Sequence, residues 1–251
     1  MPTWSALTDE LDRWADLPDV ASFWWRDDDA AAASPALRRL LTVRRELGVP
    51  MTVAAIPARI EPACAGLLAE DEAVDVVQHG WDHVDHARAG DKRVELGGTL
   101  APDAALVTLK RGFAALGLRT LPILVPPWNR IAESLVELLA AAGYRGLSGF
   151  GARTAASRHG LAIVNTHIDI VAWHHGRGFV GEAEALRATV GHLEGRRTGR
   201  VDRSEPSGLL THHAVHDAGA WRFVDRLIAT VGAHRGARWI AASEAFGVGG
   251  A

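Results

Sequence analysis

Phe23-Trp24-Trp25-Arg26-Asp27-Asp28-Asp29 is an apolar run that opens into three consecutive carboxylates. Like charges crowded at the end of a strand repel one another unless a cation sits among them, so the run reads as a β-strand that ends in part of a metal site. An Asp-rich turn or helix cap has the same composition. Partners elsewhere in the chain decide between the two.

Outward from this stretch the chain alternates strands and helices. Trp4, Leu7, Leu11 and Trp14 recur at helical spacing, which predicts an amphipathic N-terminal helix, residues 1–19, packed on a main domain of residues 20–251. After the Asp triplet, Ser34-Pro35 supplies an N-cap and an N1 proline for a helix that Gly48 ends. Strands follow at Met51–Ile56, Val74–His79, Leu121–Val125, Arg145–Ser148, Leu161–His167, Gly208–Thr211 and Arg238–Ala241. Helices are expected at 60–69, 103–116, 132–142, 181–194 and 219–232, with irregular loops at 87–98 and, as a candidate disordered segment, at 195–207. Alternation without a linker predicts a single α/β domain, a mostly parallel sheet covered by helices and able to close into a barrel.

The 251 residues carry 27 basic and 30 acidic side chains, a net charge of −3 with no block of like charges, so neither a nucleic-acid nor a membrane partner is expected. Cys64 is the one cysteine and excludes an internal disulfide, and Met1-Pro2-Thr3-Trp4-Ser5 is not an export signal, so a cytoplasmic protein is expected. No apolar run approaches the roughly 18 residues that span a bilayer. Oligomeric state is left open.

In parallel α/β folds, sites form at the carboxyl ends of strands. Polar residues converge there four times: Asp27-Asp28-Asp29, His79-Gly80-Trp81-Asp82-His83, Pro126-Pro127-Trp128-Asn129-Arg130 and Thr211-His212-His213. His79 and His83 are four apart, so a helical turn would put both imidazoles on one face, able to share a metal, with His86 continuing that face. Gly80 stands where the metalloprotease motif requires glutamate, which excludes that chemistry. Two histidines and one aspartate leave a coordination position open for water or substrate. A neighbouring Asp would act as base, and His212 or His213 as proton donor to a leaving group. Trp81 and Trp128 could floor the site. His174-His175 read as an exposed loop beside Trp173, while His216 and Asp217 could orient His212 or His213.

Together these segments resemble the polysaccharide deacetylase (NodB-homology) family, in motif order from about residue 20 to residue 245. The resemblance implies a distorted (β/α) barrel and a divalent metal, usually zinc. It places the catalytic base on Asp28 and the metal ligands on Asp29, His79 and His83. Substrate-binding positions fall on Trp81, Pro127, Trp128, Asn129 and Arg130, with a backbone N–H of the proline segment directed at the oxyanion. The general acid falls on His212, with His213 one residue away. The implied reaction is hydrolysis of a carbon–nitrogen amide bond, N-deacetylation of a sugar or related small molecule, oligosaccharides included.

The motif departs from the family pattern in several places. Val125 replaces the arginine that opens the proline segment, leaving Arg26 or Arg130 as substitutes; Ala30 replaces glycine; Asp27 permits a one-residue shift of the functional pair; and Asp169 with Trp173 is only a loose counterpart of the Asp-x-x-Asp-Trp region. Two rivals follow: the same metal hydrolase acting on a cyclic amide or ureide, and an inactive carbohydrate-binding homologue.

Overall fold

In the computed structural model, which describes residues 2–117, 119–174 and 176–248, the Asp triplet ends the central strand, β1 (Ala21–Ala30). On one side β1 pairs with β9 (Ser207–Thr211); on the other, its first half pairs with β10 (Ala237–Trp239) and its second with β2 (Met51–Ala55), all in parallel. Beyond β2 lie β3 (Val74–His79), β4 (Thr120–Val125), β5 (Gly146–Leu147) and β7 (Leu161–Ile163), and beyond β9 lies β8 (Ile168–Asp169). Among the described strand pairs, only the outermost hairpin, β6 (Ser157–Arg158) with β7, is antiparallel. The ladder does not close, although Gly149 and Gly151 hydrogen-bond the backbone of Thr166 across the gap. This is an open, distorted α/β barrel.

Helices α1 (Trp4–Ala15), α2 (Pro35–Leu47), α3 (Pro62–Ala69), α4 (Pro102–Leu116), α5 (Glu133–Leu139), α6 (Glu182–Thr198), α7 (Ala218–Gly232) and α8 (Ala242–Phe246) surround it. The Ser34 hydroxyl accepts the Leu37 N–H at 3.1 Å, and Gly48 ends α2 at φ 65°, where a residue without Cβ fits at no steric cost. Because strand side chains alternate, Phe23 and Trp25 enter the layer beneath α1, α2 and α7, whereas Trp24 enters the barrel interior with Ala54, Val77, Ile123 and Phe246. Burying either indole removes 150–250 Å² or so of apolar surface from water.

Helix α1 lies on α6. Trp14 donates to the Leu193 carbonyl at 3.3 Å, and the buried Glu10 accepts from Arg197 at 2.6 and 3.1 Å. The segment 195–207 is ordered, contrary to the expectation of a disordered loop. Helix α6 runs on to Thr198, Arg196 is buried and binds Ser22 and Ser207, and the wholly buried Glu205 accepts N–H bonds from Arg153 and Asn165. Polar composition suggested solvent; the charges are instead paired inside. His167 stacks on His192 beside Glu205, its Nδ1 accepts the Gly208 N–H, and its Nε2 lies 3.3 Å from Glu205. No described helix is long and apolar enough to cross a membrane.

Candidate active site

At the end of β1 the register against β2 shifts between Asp27 and Ala30, and Asp29 adopts φ 70°. A regular strand would send Asp28 and Asp29 to opposite faces, but the bulge turns both into one pocket. Asp29 Oδ1 is buried, has no hydrogen-bond partner, and lies 3.1 Å from His79 Nε2 and 3.3 Å from His83 Nε2. His79 ends β3 and holds its Nδ1 3.0 Å from the Val125 carbonyl, which fixes the proton there and leaves Nε2 free to ligate. An orphaned carboxylate oxygen facing two imidazoles is the donor set a divalent cation needs, and these residues fit one. Burial pushes Asp29 up, but the adjacent His79 imidazole prevails and holds it well below the usual carboxylate range. His79 is raised by its carboxylate neighbours despite burial, while burial and His79 lower His83.

The two histidines are not on a helical turn. Gly80 at φ 54° and His83 at φ 59° fold residues 79–83 into a tight loop. Glu95 organises that loop from below, accepting the Trp81 N–H at 2.5 Å and the His83 N–H at 2.8 Å while itself buried. A Cβ on Gly80 would lie 2.6 and 2.7 Å from the Glu95 carboxylate oxygens and 2.7 Å from Pro127 Cδ, so only glycine fits. His86 is absent from the cluster, and its backbone instead closes the following loop through Val94 and Thr99.

Asp28 is clamped by Arg26, two residues earlier on the same strand face. Nε donates to Oδ1 at 2.9 Å and Nη2 to Oδ2 at 3.0 Å, and the guanidinium also binds Ser148 Oγ at 2.6 Å and Asn129 Oδ1 at 2.7 Å. Of the two arginines that might replace the missing motif arginine, Arg26 holds the carboxylate. Arg130 is exposed and donates to the Arg93 carbonyl. Asp27 points to the opposite face, where it accepts from Thr211 Oγ1 at 2.7 Å, His213 N at 3.0 Å and His213 Nδ1 at 2.5 Å. Burial raises Asp27, but His213 and Thr211 bring it below the ordinary range, and Asp27 in turn raises His213 against its own burial. His213 therefore faces a buried partner. His212 lines the pocket, its ring edge-on to Trp173 at 4.6 Å, with a buried Nδ1 that has no partner.

No family model matches the chain, and no curated protein does. Solved structures do match. A protein from Mycobacterium smegmatis assigned as a polysaccharide deacetylase aligns at TM-score 0.66 over 93% of this chain and 92% of its own, with 19% identity. A family 4 acetyl xylan esterase from Clostridium thermocellum, in complex with a cobalt ion, aligns at 0.57 over 90% and 91% with 15% identity. A CE4 family pseudoenzyme from Bacillus anthracis aligns at 0.59 over 92% of this chain and 66% of its own with 13% identity. The chain has the polysaccharide deacetylase fold. Since a catalyst and a pseudoenzyme share it, the fold alone leaves activity to the site residues.

Within the deacetylase fold the pocket encloses about 1070 Å³ and gathers Asp28, Asp29, His79, His83, Trp128, Asn129, Arg130 and His212. Of the residues expected at the site, Trp81, Pro127 and His213 do not line it: Trp81 lies under the Arg111 guanidinium, and Pro127 is buried against the Gly80 turn. Trp128, at φ 54°, covers His83 at 4.4 Å. Asp169 and Trp173 do belong, with Asp169 accepting the Trp173 indole N–H at 2.8 Å and raised by burial. Two residues escaped the sequence. Glu95 sits in a stretch read as a polar loop, and nothing in its sequence context marks it; Ser148, behind Arg26, follows a strand of two residues. Expected positions His175 and 249–251 lie outside the described residues.

Proposed function

We propose that this protein is a metal-dependent hydrolase of carbon–nitrogen amide bonds that removes an N-acetyl group from a sugar or related small molecule. The observation that carries it is the buried Asp29 oxygen, unpartnered among the described residues and facing two imidazole nitrogens, beside a second carboxylate that Arg26 orients. Asp29, His79 and His83 would hold the cation, zinc by the motif. When bound, such a cation polarises an acyl oxygen and makes water acidic near neutral pH.

Asp28 is the base that takes the proton of the attacking water. Its bidentate clamp fixes both oxygens, so the carboxylate does not need to reorient as it reacts. His212 gives a proton to the nitrogen as the carbon–nitrogen bond breaks, which releases the amine and a carboxylate. Trp173, held by its indole N–H on Asp169, stands edge-on against His212 and restricts the ring. Asp27 and His213 position the end of β9 rather than react. The alternative of an inactive homologue arose from the absent arginine; the Arg26 clamp, which gives Asp28 a guanidinium partner, supports the active reading.

Metal analysis and acetate release from N-acetylhexosamines test this. His79→Ala is expected to lose the bound ion. Asp28→Asn is expected to keep it and lose roughly a hundred- to ten-thousandfold in rate. Protein that binds no divalent ion, with hydrolysis unchanged in His79→Ala, would end the proposal.

A further inference from the structure

Around the mouth of the pocket stand Lys92, Arg93, Arg130 and Arg177, all exposed, against two acids, Asp85 and Asp91. The whole chain has fewer basic residues than acidic ones, 27 to 30, so this reversal is local. The four cations come from three separate loops: the one after β3, the turn after Trp128, and the one after β8. Of the four, the acids pair only with Arg93 among the described residues. Asp85 accepts the Ala87 and Val94 N–H groups of its own loop and lies 4.0 Å from Arg93, and among the described residues Lys92, Arg130 and Arg177 have no carboxylate within salt-bridge distance.

Although Asp28, Asp29 and Asp169 make the floor acidic, the excess of cations at the rim attracts counter-charged groups there, and guanidinium groups bind planar or tetrahedral oxyanions through paired N–H donors. From this convergence we infer that the ligand is anionic: an amide-bearing molecule whose carboxylate or phosphate lies at the Lys92–Arg130–Arg177 rim while its apolar or ring portion rests on Trp128 and Trp173. This assignment rests on the hydrolytic reading for the place of the amide, at the floor by Asp28 and Asp29. The oxyanion contact rests on the rim alone. It accounts for exposed cations on three loops around an acidic floor, which a neutral polymer would have no use for.

The test is calorimetric binding to metal-loaded protein, with acetate release followed in parallel. The probes are N-acetylglucosamine, its 6-phosphate and the corresponding N-acetylated uronate. At low ionic strength one or both charged probes should bind about tenfold more tightly than the neutral sugar, and the preference should shrink as salt is raised past ~0.15 M. Whichever is preferred separates phosphate from carboxylate as the group read. In Lys92→Gln/Arg177→Gln the preference should fall severalfold. Equal affinities for all three probes, or a preference of the same size in the double variant, which would place the anion on the metal, overturns the inference. Turnover without charge preference keeps the hydrolase and ends this assignment. Charge-dependent binding without turnover does the reverse.

Discussion

At the scale of single residues, Arg26 is the decisive one. It is fully buried and spends its donors on Asp28, Ser148 and Asn129, so it serves both as counter-charge and as the template that joins β1 to the loops after β4 and β5. Removing one member of a buried pair strands the other charge, which costs about 3–5 kcal/mol, whereas replacing both is often close to neutral. Arg26→Met should therefore destabilise by about that amount in urea unfolding. The double variant Arg26→Met/Asp28→Leu should recover much of the loss and still be inactive. Losses that simply add would mean that the pair is not the unit the distances suggest. Asp28 was legible in the sequence because three carboxylates after an apolar run demand an explanation. Its partner was only narrowed to two arginines, since the choice depends on which face of β1 each side chain takes, and the bulge at Asp29 decides that.

At the scale of elements, the loop that follows β3 shows how far pattern reading goes. Val74–His79 and its terminal histidine followed from an apolar run that becomes polar, and the strand appears as expected. The conformation of residues 80–83 did not, because spacing of four is shared by a helical turn and by a loop with two left-handed residues. What chooses the loop is Glu95, twelve or more residues away, whose carboxylate takes the two N–H groups that a helix would have used otherwise. Short strands such as β5, β6 and β8 were blurred for a related reason: two residues carry no periodicity, and only their neighbours hold them in the sheet. Gly80 links these facts. In Gly80→Ala the added methyl group meets Glu95 and Pro127, so the loop must open and His83 must shift. Metal affinity should fall roughly ten- to a hundredfold, as when outer partners of a ligand are removed. Titration with zinc in the presence of a competing chelator measures it. Unchanged affinity would show that Glu95 only fills space.

At the scale of the whole molecule, the histidines that do not face the pocket set how the fold responds to acid. His216 lies edge-on to Trp221 of α7, with both ring nitrogens buried and unpartnered among the described residues and with Asp27, His213, His212 and Asp217 as its titratable neighbours. Burial, helped by the nearby histidines, brings it down to about 4 although Asp27 pulls the other way. A histidine whose folded pKa is depressed binds its proton more readily in the unfolded chain. Its neutral form therefore costs nothing above the unfolded value near 6.5, and stability drains away as pH falls from there to about 4. His213 has the opposite sign. Raised by Asp27, it favours the fold below about 6.5 and loses that contribution as pH climbs through its folded value, so it adds no slope in the acid window. Leucine at position 216 removes the first effect and leaves the second. In metal-free protein the stability difference between His216→Leu and wild type should thus grow in the variant's favour by up to about 3 kcal/mol between pH 6.5 and 4, at roughly 1.4 kcal/mol per unit of depressed pKa. Urea unfolding at half-unit intervals resolves it. Parallel curves across that window would mean that water or a shifted side chain already satisfies the imidazole.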